Sequence, residues 1–218
     1  MAGKSFRGEV TNSVVELNLL DGDAGTLSYG IGRINNGEIK VVHKGDITQS
    51  SGFYDAGSEF GSDDMNGLVI GTSCTSIGSY AFNYCSTLTG DFVIPDSVTS
   101  IGSYAFADCQ SLTSLTIGNS VTSIGDTAFV GWNSLTGSLV IPNSVTTIGS
   151  YAFAYCPGLT ALYTNTPAAS WVGTNALNGT TALVNIYEGP DVTGQYSATF
   201  QGGSGMTVSA WTNYPNIP

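Results

Sequence analysis

The heptapeptide SIGSYAF occupies residues 76–82 and returns unchanged at residues 100–106. It recurs as SIGDTAF at 123–129, as TIGSYAF at 147–153, and in a degenerate form, WVGTNAL, at 171–177. The copies end at Phe82, Phe106, Phe129, Phe153 and Leu177, so their successive spacings are 24, 23, 24 and 24 residues. A fixed period of roughly 20–50 residues indicates a solenoid or another repeat architecture.

Apolar residues between the copies also recur in register. The columns consist of Leu88, Leu112, Leu135 and Leu159; of Phe92, Leu115, Leu139 and Leu162; of Ile70, Ile94, Ile117 and Ile141; and of Cys74, Val98, Val121 and Val145. The shorter spacing arises because Gly90 and Gly137 stand where the middle copy has no residue. A bulge or turn at a glycine can absorb one extra residue.

Each repeat predicts one strand and one turn. The runs Leu115-Thr116-Ile117 and Leu139-Val140-Ile141 indicate strands, and the Ser-Tyr-Ala-Phe run indicates a helical or 3₁₀ turn capped by Ser or Asp. Pro95-Asp96 and Pro142-Asn143 mark turns between these elements. About five buried side chains per repeat contribute roughly 10 kcal/mol, less than the cost of ordering its backbone, so the repeats must stack and fold together.

The repeat resembles the BspA-type leucine-rich repeat. The pattern TSIGSYAFxxCxSLTxLxIPxSV occurs from Thr99 to Val121 and in the neighbouring copies, and the resemblance covers Leu68 to Tyr187. It implies a right-handed solenoid with one strand per repeat, and roles in surface adhesion and in protein or glycan recognition. It implies no shared catalytic residues. We therefore predict a mainly β repeat solenoid with short helical or 3₁₀ turns and a small N-terminal antiparallel β module.

The two ends of the chain differ from the repeats. Residues 1–46 are predicted to form an N-terminal β module, with strands at 14–19, 27–31 and 38–42 and a hairpin turn at Asn36-Gly37. Residues 47–67, which are rich in Gly, Ser and Asp, are predicted as linker and N-terminal cap. The solenoid is assigned to 68–187, and residues 188–218 are predicted to cap its last apolar face.

The charge distribution limits the partners. The net charge is −11, and the five basic residues all lie within the first 44 positions: Lys4, Arg7, Arg33, Lys40 and Lys44. A surface without Lys or Arg repels nucleic-acid backbones and anionic membranes. We therefore expect neither nucleic-acid binding nor membrane insertion, and the first residues lack the apolar stretch of a secretory signal.

Four cysteines leave three hypotheses open. Cys85, Cys109 and Cys156 share one repeat column, in which Trp132 takes the remaining place, and Cys74 replaces a valine. The favoured interpretation is a column of buried free thiols. A Cys85–Cys109 disulfide and a zinc site are the alternatives, although the chain has no paired CxxC motif. No cofactor is expected.

Other candidate chemistry is weak. His43 is the only histidine and has no nucleophile motif beside it. A calcium site was considered for Glu59, Asp63, Asp64 and Asn66, whose spacing matches no calcium-binding loop. General acid–base roles were considered for Asp96, Asp108 and Asp126, which occupy repeat positions filled elsewhere by other residue types. We therefore expect no metal, no catalytic residues and no enzymatic activity.

Two polar ladders are the candidate ligand-binding surface: Thr75, Thr99, Thr122 and Thr146, and Tyr80, Tyr104 and Tyr151. Hydroxyls and aromatic rings with almost no charge suit contact with a sugar or a protein. Plain exposure of hydroxyl side chains in strands and turns, or ice binding by the threonine row, would also fit. The structural core is predicted to contain Phe82, Phe106, Phe129, Phe153, Leu88, Leu112, Leu135, Leu159, Cys85, Cys109 and Cys156.

These expectations lead to three hypotheses for the function. The first is a phage virion surface component of capsid-decoration, fibre or receptor-binding type. In it, residues 1–46 dock on other virion proteins and the solenoid binds a host surface protein or glycan. The second is a bacterial cell-surface adhesin, and the third is an enzyme such as a glycan hydrolase. A homo-oligomer is an open alternative.

Overall fold

The computed structural model describes residues 28–34, 38–44, 67–70, 74–183, 185–197, 199–202 and 205–212. Its strands are β1 (Ser28–Ile34), β2 (Glu38–Lys44), β3 (Gly67–Ile70), β4 (Ser76–Ile77), β5 (Gly90–Val93), β6 (Ser100–Ile101), β7 (Leu112–Thr116), β8 (Ser123–Ile124), β9 (Thr136–Ile141), β10 (Thr147–Ile148), β11 (Gly158–Thr164), β12 (Asn185–Glu188) and β13 (Thr207–Ala210). Short 3₁₀ helices cover Ala168–Ser170, Pro190–Val192 and Phe200–Gly202. The chain is a mainly β solenoid, as the repeat pattern predicts.

Parallel sheets line two sides of the solenoid. One contains the two-residue strands in the order β10-β8-β6-β4. The other side carries the longer strands, as a β5-β7 pair and a sheet in the order β13-β12-β11-β9. Each of the four clear repeats therefore contributes one short and one long strand, and the later repeats contribute the long strands β12 and β13. We call each repeat a rung. Parallel pairing of equivalent residues brings each repeat column into a continuous row along the solenoid.

Stacked aromatic rings occupy the interior. The rings of Phe82 and Phe106 lie 5.2 Å apart, those of Phe106 and Phe129 5.6 Å, and those of Phe129 and Phe153 5.3 Å, with interplanar angles of 10° or less. All four side chains are fully buried. Offset-stacked pairs add roughly 0.5–1.5 kcal/mol beyond the burial of their area. The column that marks the period of the sequence is thus the centre of the core.

The inserted glycines lie at irregularities of the strand pairing. The β5–β7 register shifts between Gly90 and Asp91, and the β9–β11 register shifts opposite Gly137. Gly90 has a φ of 83° and Gly137 a φ of 78°, a conformation that favours glycine. The extra residue is absorbed locally, as the sequence predicts, and the inward columns continue undisturbed.

The N-terminal part contains the predicted hairpin. β1 and β2 pair antiparallel, from Ser28 opposite Lys44 to Ile34 opposite Glu38. β2 also pairs in parallel with β3, so the hairpin shares a sheet with the strand that holds Ile70. The predicted strand at 14–19 and the Asn36-Gly37 turn lie outside the described residues. The boundaries of the four predicted segments stay predictions.

The last rung lies within the segment predicted as a C-terminal cap. β13 pairs in parallel with β12, with Val208 opposite Ile186 and Ala210 opposite Glu188. Trp211 follows directly, and its backbone N–H donates to the carbonyl of Glu188. The segment beyond the clear repeats therefore covers the preceding rung by adding one more.

Candidate binding surface

The segment after each short strand is a run of turns whose amides alternate between two kinds of partner. The Tyr80 N–H donates to the Ser103 carbonyl of the next rung at 2.9 Å, and the Phe82 N–H donates to the Ala105 carbonyl at 2.7 Å. The N–H between them donates to a carbonyl of its own turn. The predicted helical or 3₁₀ segment is therefore a series of single turns, since every second amide leaves the turn to join the rungs.

Two residues of each turn have a left-handed backbone. The first column contains Tyr80, Tyr104, Thr127, Tyr151 and Asn175, and the second contains Tyr84, Asp108, Gly131, Tyr155 and Gly179. This conformation costs an ordinary side chain on the order of 1–2 kcal/mol, whereas glycine adopts it freely. Five tyrosines thus stand at positions where glycine or asparagine would be more stable. Residues held in unfavourable backbone regions cluster at functional sites, so these positions are candidates.

We call Tyr80, Tyr84, Tyr104, Tyr151 and Tyr155 the tyrosine face. Tyr84 and Tyr155 are 54% and 52% exposed, and Tyr104 and Tyr151 are 37% and 36% exposed. The Tyr80 and Tyr104 rings stack with their centroids 4.8 Å apart and their planes 3° from parallel. That stack covers the two ring faces that meet, so each of these residues can offer a ligand its outer ring face, its edge and its hydroxyl.

The threonine ladder of Thr75, Thr99, Thr122 and Thr146 is exposed, but the hydroxyl protons of its last three members are engaged. The Thr99 hydroxyl donates to the Thr75 carbonyl at 3.0 Å, the Thr122 hydroxyl to the Thr99 carbonyl at 3.0 Å, and the Thr146 hydroxyl to the Thr122 carbonyl at 3.1 Å. Each carbonyl also accepts the backbone N–H of the threonine in the next rung. The ladder joins neighbouring rungs and offers a ligand oxygen lone pairs and methyl groups.

The cysteine column lies inside the solenoid. All four cysteines are buried and free, so the Cys85–Cys109 disulfide considered from the sequence is not formed. The Cys109 thiol donates to the Phe82 carbonyl at 3.2 Å, and the indole of Trp132 donates to the Phe106 carbonyl at 2.7 Å. The carbonyls of Phe82 and Phe106 occupy equivalent buried positions in neighbouring rungs. One accepts a hydrogen bond from a thiol, which is a weak donor, and the other accepts one from an indole, which is a stronger donor.

Burial also makes these thiols unreactive. It raises the pKa of Cys85 and the pKa of Cys156 to about 12. The Cys109 pKa is raised as well, first by burial and then by the neighbouring Cys85. Because the thiolate is the nucleophile and the metal ligand, thiols held in the neutral form are poor candidates for either role.

The aspartates of the solenoid have different environments. An Asp126 carboxylate oxygen accepts the Ser150 N–H at 2.6 Å, and Asp96 accepts the Asn119 N–H at the same distance. Both cap a backbone amide of the next rung, so the capping predicted within a turn acts between turns. Within the described part of the chain, the Asp108 carboxylate accepts no hydrogen bond and forms no ion pair.

The remaining candidates from the sequence do not assemble into a site here. His43 lies in β2 opposite Tyr29, and Glu59, Asp63, Asp64 and Asn66 lie outside the described residues. The described residues contain no group of three or more His, Cys, Asp or Glu side chains placed to hold a metal ion. Nor does any helix in this part of the chain have the length and hydrophobicity to cross a membrane.

Sequence reasoning missed two of the five tyrosines. Tyr84 and Tyr155 are the most exposed of the set, and they lie four residues after Tyr80 and Tyr151. Their column also contains Asp108, Gly131 and Gly179, so it does not look like a tyrosine ladder. Glycines and an aspartate at equal spacing were the available signal, because these residue types favour a left-handed backbone.

Comparisons with known proteins agree with this architecture. Among solved structures, the T. pallidum leucine-rich repeat protein TpLRR is 18% identical with a TM-score of 0.52, over 84% of this chain and 78% of that one. The pneumococcal vaccine antigen PcpA is 17% identical with a TM-score of 0.48, over 64% and 40%. A leucine-rich repeat protein from Bacteroides ovatus ATCC 8483 is 19% identical with a TM-score of 0.41, over 88% and 53%. The T. pallidum protein shares the fold.

The sequence comparison identifies the family. No curated protein sequence matches the chain significantly. The family profile described as the BspA type leucine rich repeat region matches residues 75–207 in six copies, which is more than half of the 218 residues. The matched range includes the tyrosine face and reaches the first residue of β13. The chain therefore belongs to the BspA-type leucine-rich repeat family.

Proposed function

We propose that this chain is a non-enzymatic surface protein whose solenoid binds a macromolecular partner through the tyrosine face. The observation that carries the proposal is the placement of five tyrosines at left-handed positions, where they reduce stability. Four of them are more than a third exposed. Tyrosine contributes a large, rigid contact area at a low entropic cost, which is why it is enriched in interfaces.

Membership of the BspA-type family supports a binding role. The resemblance implies adhesion and recognition and carries no shared catalytic residues. The buried thiols are held neutral, and Asp96 and Asp126 are engaged in capping backbone amides. A screen that found turnover of a glycan or an ester, abolished by a single substitution, would favour the enzyme hypothesis.

For the location, the family supports a bacterial cell surface. A virion surface is the second candidate, and the charge distribution favours it, since all five basic residues lie in the first 44 positions. In that hypothesis residues 1–46 dock on other virion proteins. Deletion of residues 1–46 should then leave a folded solenoid that no longer joins the particle. Incorporation of the truncated chain would exclude residues 1–46 as the anchor.

The binding role is tested by removing the two most exposed tyrosines. In the double variant Tyr84→Asn/Tyr155→Asn, asparagine suits the left-handed backbone, so lost binding would not reflect unfolding. The full chain, coupled to beads, would be assayed for retention on an array of glycans and an array of bacterial and host surface proteins. We expect retention of the wild type on at least one array and a loss of about tenfold or more in the double variant.

The matched control is Val93→Ser. Val93 is 55% exposed, but it lies in β5, on the long-strand side. Its substitution should leave retention unchanged. Wild-type retention that is lost in Val93→Ser and kept in the double tyrosine variant would assign binding to the long-strand side. Retention of the wild type on neither array would overturn the binding role.

A further inference from the structure

The tyrosine face is interrupted in its middle rung. In the first left-handed column the short side chain of Thr127 lies between Tyr104 and Tyr151. In the second column Gly131 has no side chain and precedes Tyr155. One rung separates the stacked Tyr80 and Tyr104 rings by 4.8 Å. Tyr104 and Tyr151 are two rungs apart, so roughly 10 Å separates their positions along the solenoid.

This interruption is wide enough for one flat group. A planar group that contacts a ring on each side needs roughly 7–8 Å between the planes of the two flanking rings, because each contact spans about 3.5–4 Å between atom centres. Tyr104 is covered on one side by Tyr80, and its other side borders the Thr127 rung. Tyr104 and Tyr151 therefore border a notch whose floor is the Thr127 side chain.

A carboxylate lies at the edge of this notch. The Asp108 side chain lies over Gly131, so that a Cβ built at Gly131 would clash with its Oδ1. Asp108 is half-buried. Unlike Asp96 and Asp126, which accept backbone N–H groups, Asp108 has no hydrogen-bond or ion-pair partner within the described residues. Its charge is available to a ligand.

The described part of the solenoid contains no competing Lys or Arg side chain. Residues 45–218 include no Lys or Arg, and the whole chain has a net charge of −11. A partner cation at Asp108 would thus meet the carboxylate, the electron-rich tyrosine rings and an acidic surface. A cation within about 6 Å of an aromatic ring is attracted by the electron-rich face of that ring.

We propose that this notch binds an arginine side chain presented by a protein partner. It is formed by Tyr104, Asp108, Thr127 and Tyr151, whereas the Tyr155 ring lies over Gly179 of the next rung. The planar guanidinium stacks on an aromatic ring and pairs with a carboxylate through two N–H groups, whereas a lysine ammonium is a strongly hydrated point charge. The inference rests on the proposed binding role and adds the chemistry of the partner.

The test uses defined peptides with the full-length chain. A fluorescein-labelled Gly-Ser peptide with three arginines would be titrated by fluorescence anisotropy at about 0.15 M NaCl, where distant charges are largely screened. The matched probes replace arginine by lysine or by citrulline, which keeps the planar shape and lacks the charge. We expect the arginine peptide to bind about threefold or more tighter than the lysine peptide, and citrulline to abolish binding.

Two pairs of variants locate the site. Thr127→Tyr fills the notch with a residue that the same column accepts elsewhere, and it should weaken arginine-peptide binding by about tenfold or more. Its control, Val93→Tyr, adds the same side chain at an exposed position on the long-strand side and should retain binding within about twofold. Asp108→Asn should weaken binding by about fivefold or more, whereas Asp91→Asn, with an equal loss of charge, should not.

Each result is decisive. Equal binding of the arginine and citrulline peptides, equal effects of Asp108→Asn and Asp91→Asn, or no binding of the arginine peptide would overturn the inference. If array retention still depends on Tyr84 and Tyr155, the binding role survives with a different ligand chemistry. If the peptide binds but array retention does not depend on those tyrosines, the notch stands and the wider tyrosine face is excluded as the main contact.

Discussion

The central rungs and the last rungs fill the same interior positions with different chemistry. One inward column runs from Ile141 to Thr164 and to Glu188, because these residues are opposite one another in paired strands. Ile141 is buried among apolar side chains, and Glu188 is also 96% buried, since it retains only 4% exposure. The central rungs are held by interchangeable apolar contacts, and the end of the solenoid is held by specific polar ones.

The buried carboxylate of Glu188 has its own partners. Its two oxygens accept the backbone N–H of Gly194 at 2.8 Å and that of Tyr196 at 2.9 Å. The Tyr196 hydroxyl donates to the Thr166 carbonyl and accepts the Trp171 indole N–H. A buried charge is tolerated when hydrogen bonds replace its hydration. Glu188 thus holds the loop after β12 against the solenoid.

The largest effect is expected from truncating the aromatic stack. Phe129→Ala should lower the free energy of unfolding by roughly 3–5 kcal/mol, because it removes a fully buried ring between two stacked neighbours. Chemical denaturation would measure the change. A loss below about 1 kcal/mol would contradict the position of Phe129 in the core.

The second effect separates the two regions. Glu188→Ala should cost about 2–3 kcal/mol, since it leaves two buried N–H groups without an acceptor. Glu188→Gln should cost less, because one amide oxygen can still accept a hydrogen bond. Hydrogen exchange should show the Gly194 and Tyr196 amides deprotected, with the Phe129 amide nearly unchanged.

Equal deprotection in both regions would show instead that the solenoid unfolds as one unit and that the polar end has no separate stability.

The sequence predicts the central rungs of the solenoid well and the polar end poorly. The Phe column, its period and the glycine insertions are visible because equivalent rungs repeat residue types. Glu188 is invisible to that reasoning, since its partners come from a loop outside the repeat and depend on tertiary contacts. The tyrosine face could be predicted only in part. Tyr80, Tyr104 and Tyr151 recur in register, whereas Tyr84 and Tyr155 share their column with glycine and aspartate.

A third prediction concerns the cysteine column, which changes from buried thiols to a hydroxyl at Thr180 in the rung that follows Cys156. Burial raises the pKa of Cys85 and of Cys156 from the ordinary 9.0 to about 12. Well below pH 9 these thiols are neutral in both the folded and the unfolded chain, and they do not make stability depend on pH. Above pH 9 they ionise in the unfolded chain first, so the free energy of unfolding falls as the pH rises toward 12. Between pH 9 and 10 each thiol should cost about 1 kcal/mol of unfolding free energy.

Denaturation of wild type and of Cys85→Ala at both pH values would measure this. The variant starts less stable but should lose less on going to pH 10. Identical losses would mean that Cys85 does not titrate differently in the folded and unfolded chains.

The smallest effect tests the left-handed positions, at which the rungs of Tyr80, Tyr104 and Tyr151 carry tyrosines and the rung after Tyr151 carries Asn175 and Gly179. Tyr84→Asn should raise the free energy of unfolding by about 0.5–1 kcal/mol, because asparagine tolerates this backbone better than tyrosine. Asn175→Tyr should lower it by a similar amount, and thermal unfolding would detect both. Opposite signs would show that the tyrosines lower the stability of the rungs that carry them and that Asn175 does not lower the stability of its rung. This pattern is expected if the tyrosine face is used for binding. A stabilising effect of tyrosine at both positions would mean that ring packing outweighs the backbone cost, and the tyrosines would then need no functional explanation.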